Sequence, residues 1–145
     1  MPGRRRALLT LNHAYAVMLS SAFQGFCRDL HSESVDHLVA YLPSTTLGYL
    51  VQRSMTLARK LDAGNPNAGN IGADFGRVFA DSRGFWPAVL GSPVSSAMAA
   101  RRKKLEELNT WRNAIAHQDW REVGGRPALR LATVQGWRSA CGMLA

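Results

Sequence analysis

Cysteine is scarce: Cys27 and Cys141 are the two in 145 residues. Two thiols build no disulfide framework and no CxxC pair, so the chain reads as reduced and cytoplasmic, a single bridge being the alternative. No HExxH and no paired-aspartate motif appears, and His31 and His37, six apart, fall off one helical face. Neither a metal nor any other cofactor is therefore expected. The glycines at 64, 69 and 72 sit among asparagines with no strand before them, which excludes a phosphate-cradling loop. No run reaches the roughly 18 apolar residues that a membrane span needs. The opening MPGRRRALLTLNHAYAVMLSSAF imitates a secretory signal, but Asn12 and His13 interrupt its apolar run. The helical pattern then continues past any cleavage site, which predicts the first helix of a soluble protein with no membrane partner.

Positive charge is abundant. The net charge is +8, and fifteen of the eighteen cations are arginine. Such an excess calls for a polyanionic partner, nucleic acid first and an acidic protein second. Arginine favours the first, because its fork matches phosphate oxygens in pairs. With 46% apolar residues, the chain is large enough to bury a core as one domain over 1–145.

Helical periodicity dominates. Leu8, Leu11, Tyr15, Met18, Ala22 and Phe26 recur at three- and four-residue steps, with Leu19, Phe23 and Leu30 widening the face, and predict a helix over about 6–31 at the centre of a bundle or at a subunit contact. Ser34 is placed to cap a short helix, Val35 to Tyr41, that Pro43 ends. Ser44 or Thr45 opens another, with Leu47, Leu50, Val51, Leu57 and Leu61 as its apolar positions. Residues 63–72 hold Gly, Asn and Pro at loop density. A short helical segment around Phe75, Val78 and Phe79 follows, then a turn at Ser82 to Gly84 and the pair Phe85 and Trp86. Gly91-Ser92-Pro93 predicts the start of a second long helix running to about His117. Thr133 is placed to cap a last helix, Val134 to Leu144, with Val134, Trp137 and Cys141 inward. Only Ala128 to Ala132 has any strand character. The reading is an all-α bundle of four or five helices with two long central ones.

The chemistry concentrates in LEELNTWRNAIAH, residues 105–117. At 100° per residue, Leu105, Leu108, Trp111 and Ile115 share one face, and Arg112 falls inside it. A guanidinium on an apolar stripe is costly unless paired or turned to a polar ligand. Asn109, Asn113 and His117 stack along the edge at steps of four. Upstream, Arg101, Arg102, Lys103 and Lys104 offer charges for tracking phosphates, as do Asn109 and Arg121 beside the motif. Fifteen arginines and four histidines give about 0.4 Arg-x4-His pairs by chance, so the signal lies in the surrounding RNAIAH rather than in the spacing.

RNAIAH, 112–117, resembles the Arg-x4–6-His signature of HEPN domains (higher eukaryotes and prokaryotes nucleotide-binding). SAFQGFCRDL is similar to the apolar-acidic A-x-E-x-F-x-R-D-L pattern of the RiboL-PSP branch. The loop GNPNAGNIGADFGRVF and Trp86 then follow in the expected order. The resemblance covers about residues 8–142. It implies a homodimer whose two signature helices meet in one composite active site. It also implies a metal-independent endoribonuclease of a toxin–antitoxin, abortive-infection or other defence system, with an antitoxin or defence protein as partner. Arg112 and His117 would be catalytic and Asn113 supportive. Two departures stand out: Gln24 replaces the branch's acid, and Gln118, Asp119 and Trp120 follow the histidine where adenylylated toxins carry a tyrosine.

The residues support the same chemistry on their own. Histidine moves protons near neutral pH, and a fixed cation steadies charge on a phosphate in the transition state. The 2′-OH would attack its own phosphate, leaving a 2′,3′-cyclic phosphate and a 5′-OH. Two other readings stand beside this one. In the first, Arg112 pairs with Glu106 or a helix-end carbonyl and His117 caps the helix. In the second, the same patch binds RNA, a nucleotide or a protein without cleaving.

Overall fold

In the computed structural model, which describes residues 2–79, 84–90, 95–125 and 127–145, the first helix does not stop where the sequence predicts. α1 runs unbroken over Pro2–Val39. Ser34 does not cap a new helix; its hydroxyl donates to the Leu30 carbonyl at 2.7 Å, and Ser32 donates likewise to Arg28 at 3.0 Å. Serines that bond back to position i−4 satisfy themselves inside a helix, so neither ends it. The chain leaves α1 through a turn in which Leu42 N donates to Val39 O. Pro43, with no N–H to offer, lies just beyond.

The buried side of the helix matches the predicted face only in part. Its buried positions are Ala16, Ser20, Phe23, Cys27, His31 and Val35, again at steps of three and four. Of the broad apolar face expected at a bundle centre or a subunit contact, Phe23 is buried, while Leu8, Leu11 and Met18 are 52, 63 and 69% exposed.

Among the described residues there are seven α-helices and no strand, so the all-α class holds with more helices than the four or five expected. The contacts gather into two compact units, residues 1–23 with 96–145 and residues 24–95.

In the first unit, α1 meets α6 (Ser96–His117) where Ser20 bonds Asn109, and α6 packs against α7 (Leu131–Leu144). The helices α2 to α5 belong to the second unit. The core of the first unit is Leu105, Leu108 and Ala114 of α6 against Val134, Trp137, Ala140 and Cys141 of α7. Both cysteines are buried, and burial pushes the Cys141 thiol up to about 11. α7 starts three residues earlier than predicted; Thr133 lies in its first turn and Arg130 holds the cap position with no side-chain bond. Residues 127–130 are not a strand. They are pinned to α1 instead, with Asn12 Nδ2 donating to Leu129 O at 2.9 Å and His13 Nε2 to Pro127 O at 2.9 Å. The predicted cap Ser92 and first residue Pro93 of α6 lie outside the described residues, as does Ser82 of the predicted turn.

The second unit holds the rest of α1 with α2 (Thr45–Thr56), α3 (Lys60–Ala63), α4 (Ala68–Phe79) and α5 (Phe85–Leu90). Ser44 caps α2 through Leu47 N. The apolar positions of α2 are mostly outside: Leu47 and Leu50 are exposed, as is Leu57 after it, and Gly48 is its buried residue. The predicted loop 63–72 is shorter than its composition suggests, because Asn67 opens α4: its Oδ1 accepts from Asn70 N at 2.7 Å. An asparagine at a helix start is a cap, not a breaker. Trp86 Nε1 donates to Ala68 O at 2.7 Å, and a Cβ on Gly72 would meet the Trp86 ring at 3.0 Å.

Candidate active site

The end of α6 is closed without help from histidine. Gln118 takes a left-handed conformation, φ 55°, and Asp119 N donates to Ala114 O at 3.1 Å. This is the six-to-one closure of a Schellman ending, usually made with glycine. The Gln118 side chain donates to Ile115 O at 2.8 Å and satisfies a second carbonyl of the last turn. His117 therefore stands exposed at the helix end, with no hydrogen bond to its imidazole among the described residues.

Beyond the helix, Asp119 builds a tight turn. Its Oδ1 accepts from Arg121 N at 3.1 Å and from Arg121 Nε at 2.9 Å, and Oδ2 accepts from Nη2 at 2.5 Å. These bonds to Arg121 hold the Asp119 carboxyl well below the usual carboxylate range, at about 2. Val123 N and Gly125 N both donate to Trp120 O, which closes a 3₁₀ turn over Arg121–Val123. Trp120 itself stacks on the His13 ring, centroids 5.3 Å apart.

Helix end and turn together line a cavity of about 310 Å³ formed by Asn113, Ala114, His117, Asp119 and Glu122. That volume sits at the lower end of small-ligand sites, roughly 300–1,000 Å³. Of the predicted catalytic residues, Asn113 and His117 meet here. Arg112 does not line the cavity. It is half-buried, and its Nη1 donates to Asn113 Oδ1 at 3.3 Å rather than to Glu106 or a helix-end carbonyl.

The weaker phosphate contacts scatter. Asn109 is buried, 4% exposed, and accepts from Ser20 Oγ at 3.4 Å, so it is withdrawn from the surface. Arg121 spends its fork on Asp119. Arg101 and Arg102 are half-buried, and Arg101 Nη1 lies 2.8 Å from Met98 Sδ. Lys103 and Lys104 are exposed; Lys103 shares a second cavity, about 340 Å³, with Glu106, Glu107 and Glu122. Four consecutive cations on a helix point in four directions, which is why the run makes no single face.

Sequence reasoning missed the two carboxylates of the site. Asp119 and Glu122 follow the motif at two and five residues, in DWRE, an alternation of signs that reads as surface until the turn brings it under the helix end. Gln24 has a plain structural part in the second unit. Its Nε2 donates to Leu61 O at 2.6 Å and Gly64 O at 2.8 Å, closing the C-terminal end of α3. A carboxylate has no proton to give those carbonyls.

No family model matches this chain, and no curated protein or solved structure matches it.

Proposed function

We propose that this protein is a metal-independent endoribonuclease that cleaves RNA through attack of a 2′-OH, as a toxin or defence effector in the cytoplasm. One observation carries the reading: the imidazole of His117 is released from every structural duty at its helix end and lines a cavity with Asn113. An exposed histidine with an amide beside it is equipped to move a proton at a phosphodiester. Arg112 is the cation that would steady the transition state, brought to this cavity by a second copy.

The cavity of one chain is acidic, since Asp119 and Glu122 line it and Arg112 does not. A phosphate entering it needs cations from elsewhere. A second copy bringing its own Arg112 meets that need, in a homodimer with a composite site and a twofold axis. The exposed stripe of Leu8, Leu11 and Met18 on α1 is apolar surface of the kind that such an interface covers. An antitoxin or defence protein is the further partner of this reading.

A second reading is a module that binds RNA, a nucleotide or a protein and cuts nothing, and the two carboxylates suit a protein partner with basic side chains. Cleavage in EDTA separates the two readings. His117→Ala should abolish cleavage and toxicity while leaving the melting temperature in place, because the helix end is capped without it. Arg112→Ala should remove activity as well and loosen the dimer. A fully active, well-folded His117→Ala protein sinks the mechanism.

A further inference from the structure

Cleavage by 2′-OH attack moves two protons, one off the nucleophile and one onto the 5′-oxygen that leaves. A single histidine serves one of these transfers at a time, and in the composite site each His117 shares its cavity with a Glu122 of its own chain. We infer that Glu122 is the second catalytic group of the site, the acceptor of the 2′-OH proton, with His117 as the donor to the leaving oxygen. The inference rests on the ribonuclease reading above and assigns the roles within it.

Three observations carry it. Glu122 lines the same cavity as His117 and Asn113. Among the described residues it makes no hydrogen bond and no ion pair, so its oxygens are available to a substrate proton. Asp119, the other carboxylate, is committed: both its oxygens hold Arg121, and those bonds leave it a weak proton acceptor. Asp119 is instead the positioning residue. Its grip on Arg121 N starts the 3₁₀ turn that presents Glu122 under the helix end.

The step balances without any further reactant. The 2′-O–H proton passes to the Glu122 carboxylate as the new O–P bond forms. The P–O5′ bond breaks, and O5′ takes the proton of the His117 imidazolium. Nothing is oxidised or reduced, and solvent returns the proton from Glu122 to His117 for the next turnover.

The test uses one RNA oligonucleotide whose cut site has been mapped with the wild-type protein, and the same oligonucleotide with sulfur replacing the bridging 5′-oxygen at that site. A thiolate leaves without a proton. His117→Ala should cut the ordinary RNA about 10²–10⁴-fold more slowly and return close to the wild-type rate on the sulfur substrate. Glu122→Gln should be slowed on both, with the melting temperature of the wild type. If Glu122→Gln cuts ordinary RNA at the wild-type rate, or is rescued by sulfur as His117→Ala is, Glu122 is not the acceptor. A fall in melting temperature that accounts for its lost activity overturns the role too. Wild-type protein that cuts neither substrate marks a different failure, that of the ribonuclease reading itself.

Discussion

His31 is the residue whose environment most constrains the protein's behaviour in solution. It is fully buried in the second unit, edge-on to Phe75 with centroids 5.4 Å apart, and neither ring nitrogen has a hydrogen-bond partner among the described residues. Burial, followed by the nearby Arg59, pushes its pKa below the ordinary 6.5, against the opposing pull of Asp74. The unfolded chain therefore binds this proton more readily than the folded one. Its effect on stability is absent above about pH 6.5 and becomes a loss as the pH falls below that value towards the folded pKa. Thermal melts from pH 8 to 5 should be flat at first and then decline, by at most about 1.4 kcal/mol per pH unit. His31→Leu should remove that share of the decline. An unchanged profile in the variant would show that other groups cause it.

At the scale of the element, α3 shows how a four-residue helix persists. Nothing that short is stable through its own hydrogen bonds. Side chains from two longer helices hold both its ends. Asp74 of α4, itself buried, accepts from Lys60 N at 2.9 Å and Leu61 N at 2.8 Å, while Gln24 of α1 donates to Leu61 O and Gly64 O. Gln24→Glu should lower stability by about 1–3 kcal/mol, because it faces two carbonyls with no donor. Denaturant melts that show Gln24→Glu as stable as wild type would refute this account of the position. The spacing of LNTWRNAIAH made the end of α6 legible, since the last apolar step and the predicted stop coincide at His117. The end of α1 was not legible. Serines that cap one helix and back-bond in another look alike in a sequence, and only the neighbouring carbonyl decides between them.

For the whole molecule the open surface of α1 is the feature with consequences. Leu8, Leu11 and Met18 lie on its exposed side, and burying such a stripe contributes about 25 cal/mol per Å². The proposed dimer should be visible by light scattering at tens of micromolar. Leu11→Arg with Met18→Lys should give a monomer of unchanged helical content that has lost cleavage, since the composite site goes with the contact. A wild-type monomer at that concentration, or a double variant that still dimerises, would take this face out of the proposal.

Composition and periodicity were enough for the all-α class, for the presence of two long helices and for the helix end that carries Arg112, Asn113 and His117. Helix formation depends on local spacing and on residues within a few positions, and these are written in the chain itself. Which side of α1 faces inward was settled by tertiary structure, because its two stripes, one of Leu and Met and one of Ala, Ser, Phe, Cys and His, both repeat at helical steps. The acidity of the cavity was settled there as well. Asp119 and Glu122 join His117 only because the αL turn at Gln118 and the grip of Asp119 on Arg121 fold the following residues beneath the helix end. Where the chain reverses direction, side chains meet by the geometry of the turn rather than by their spacing in sequence.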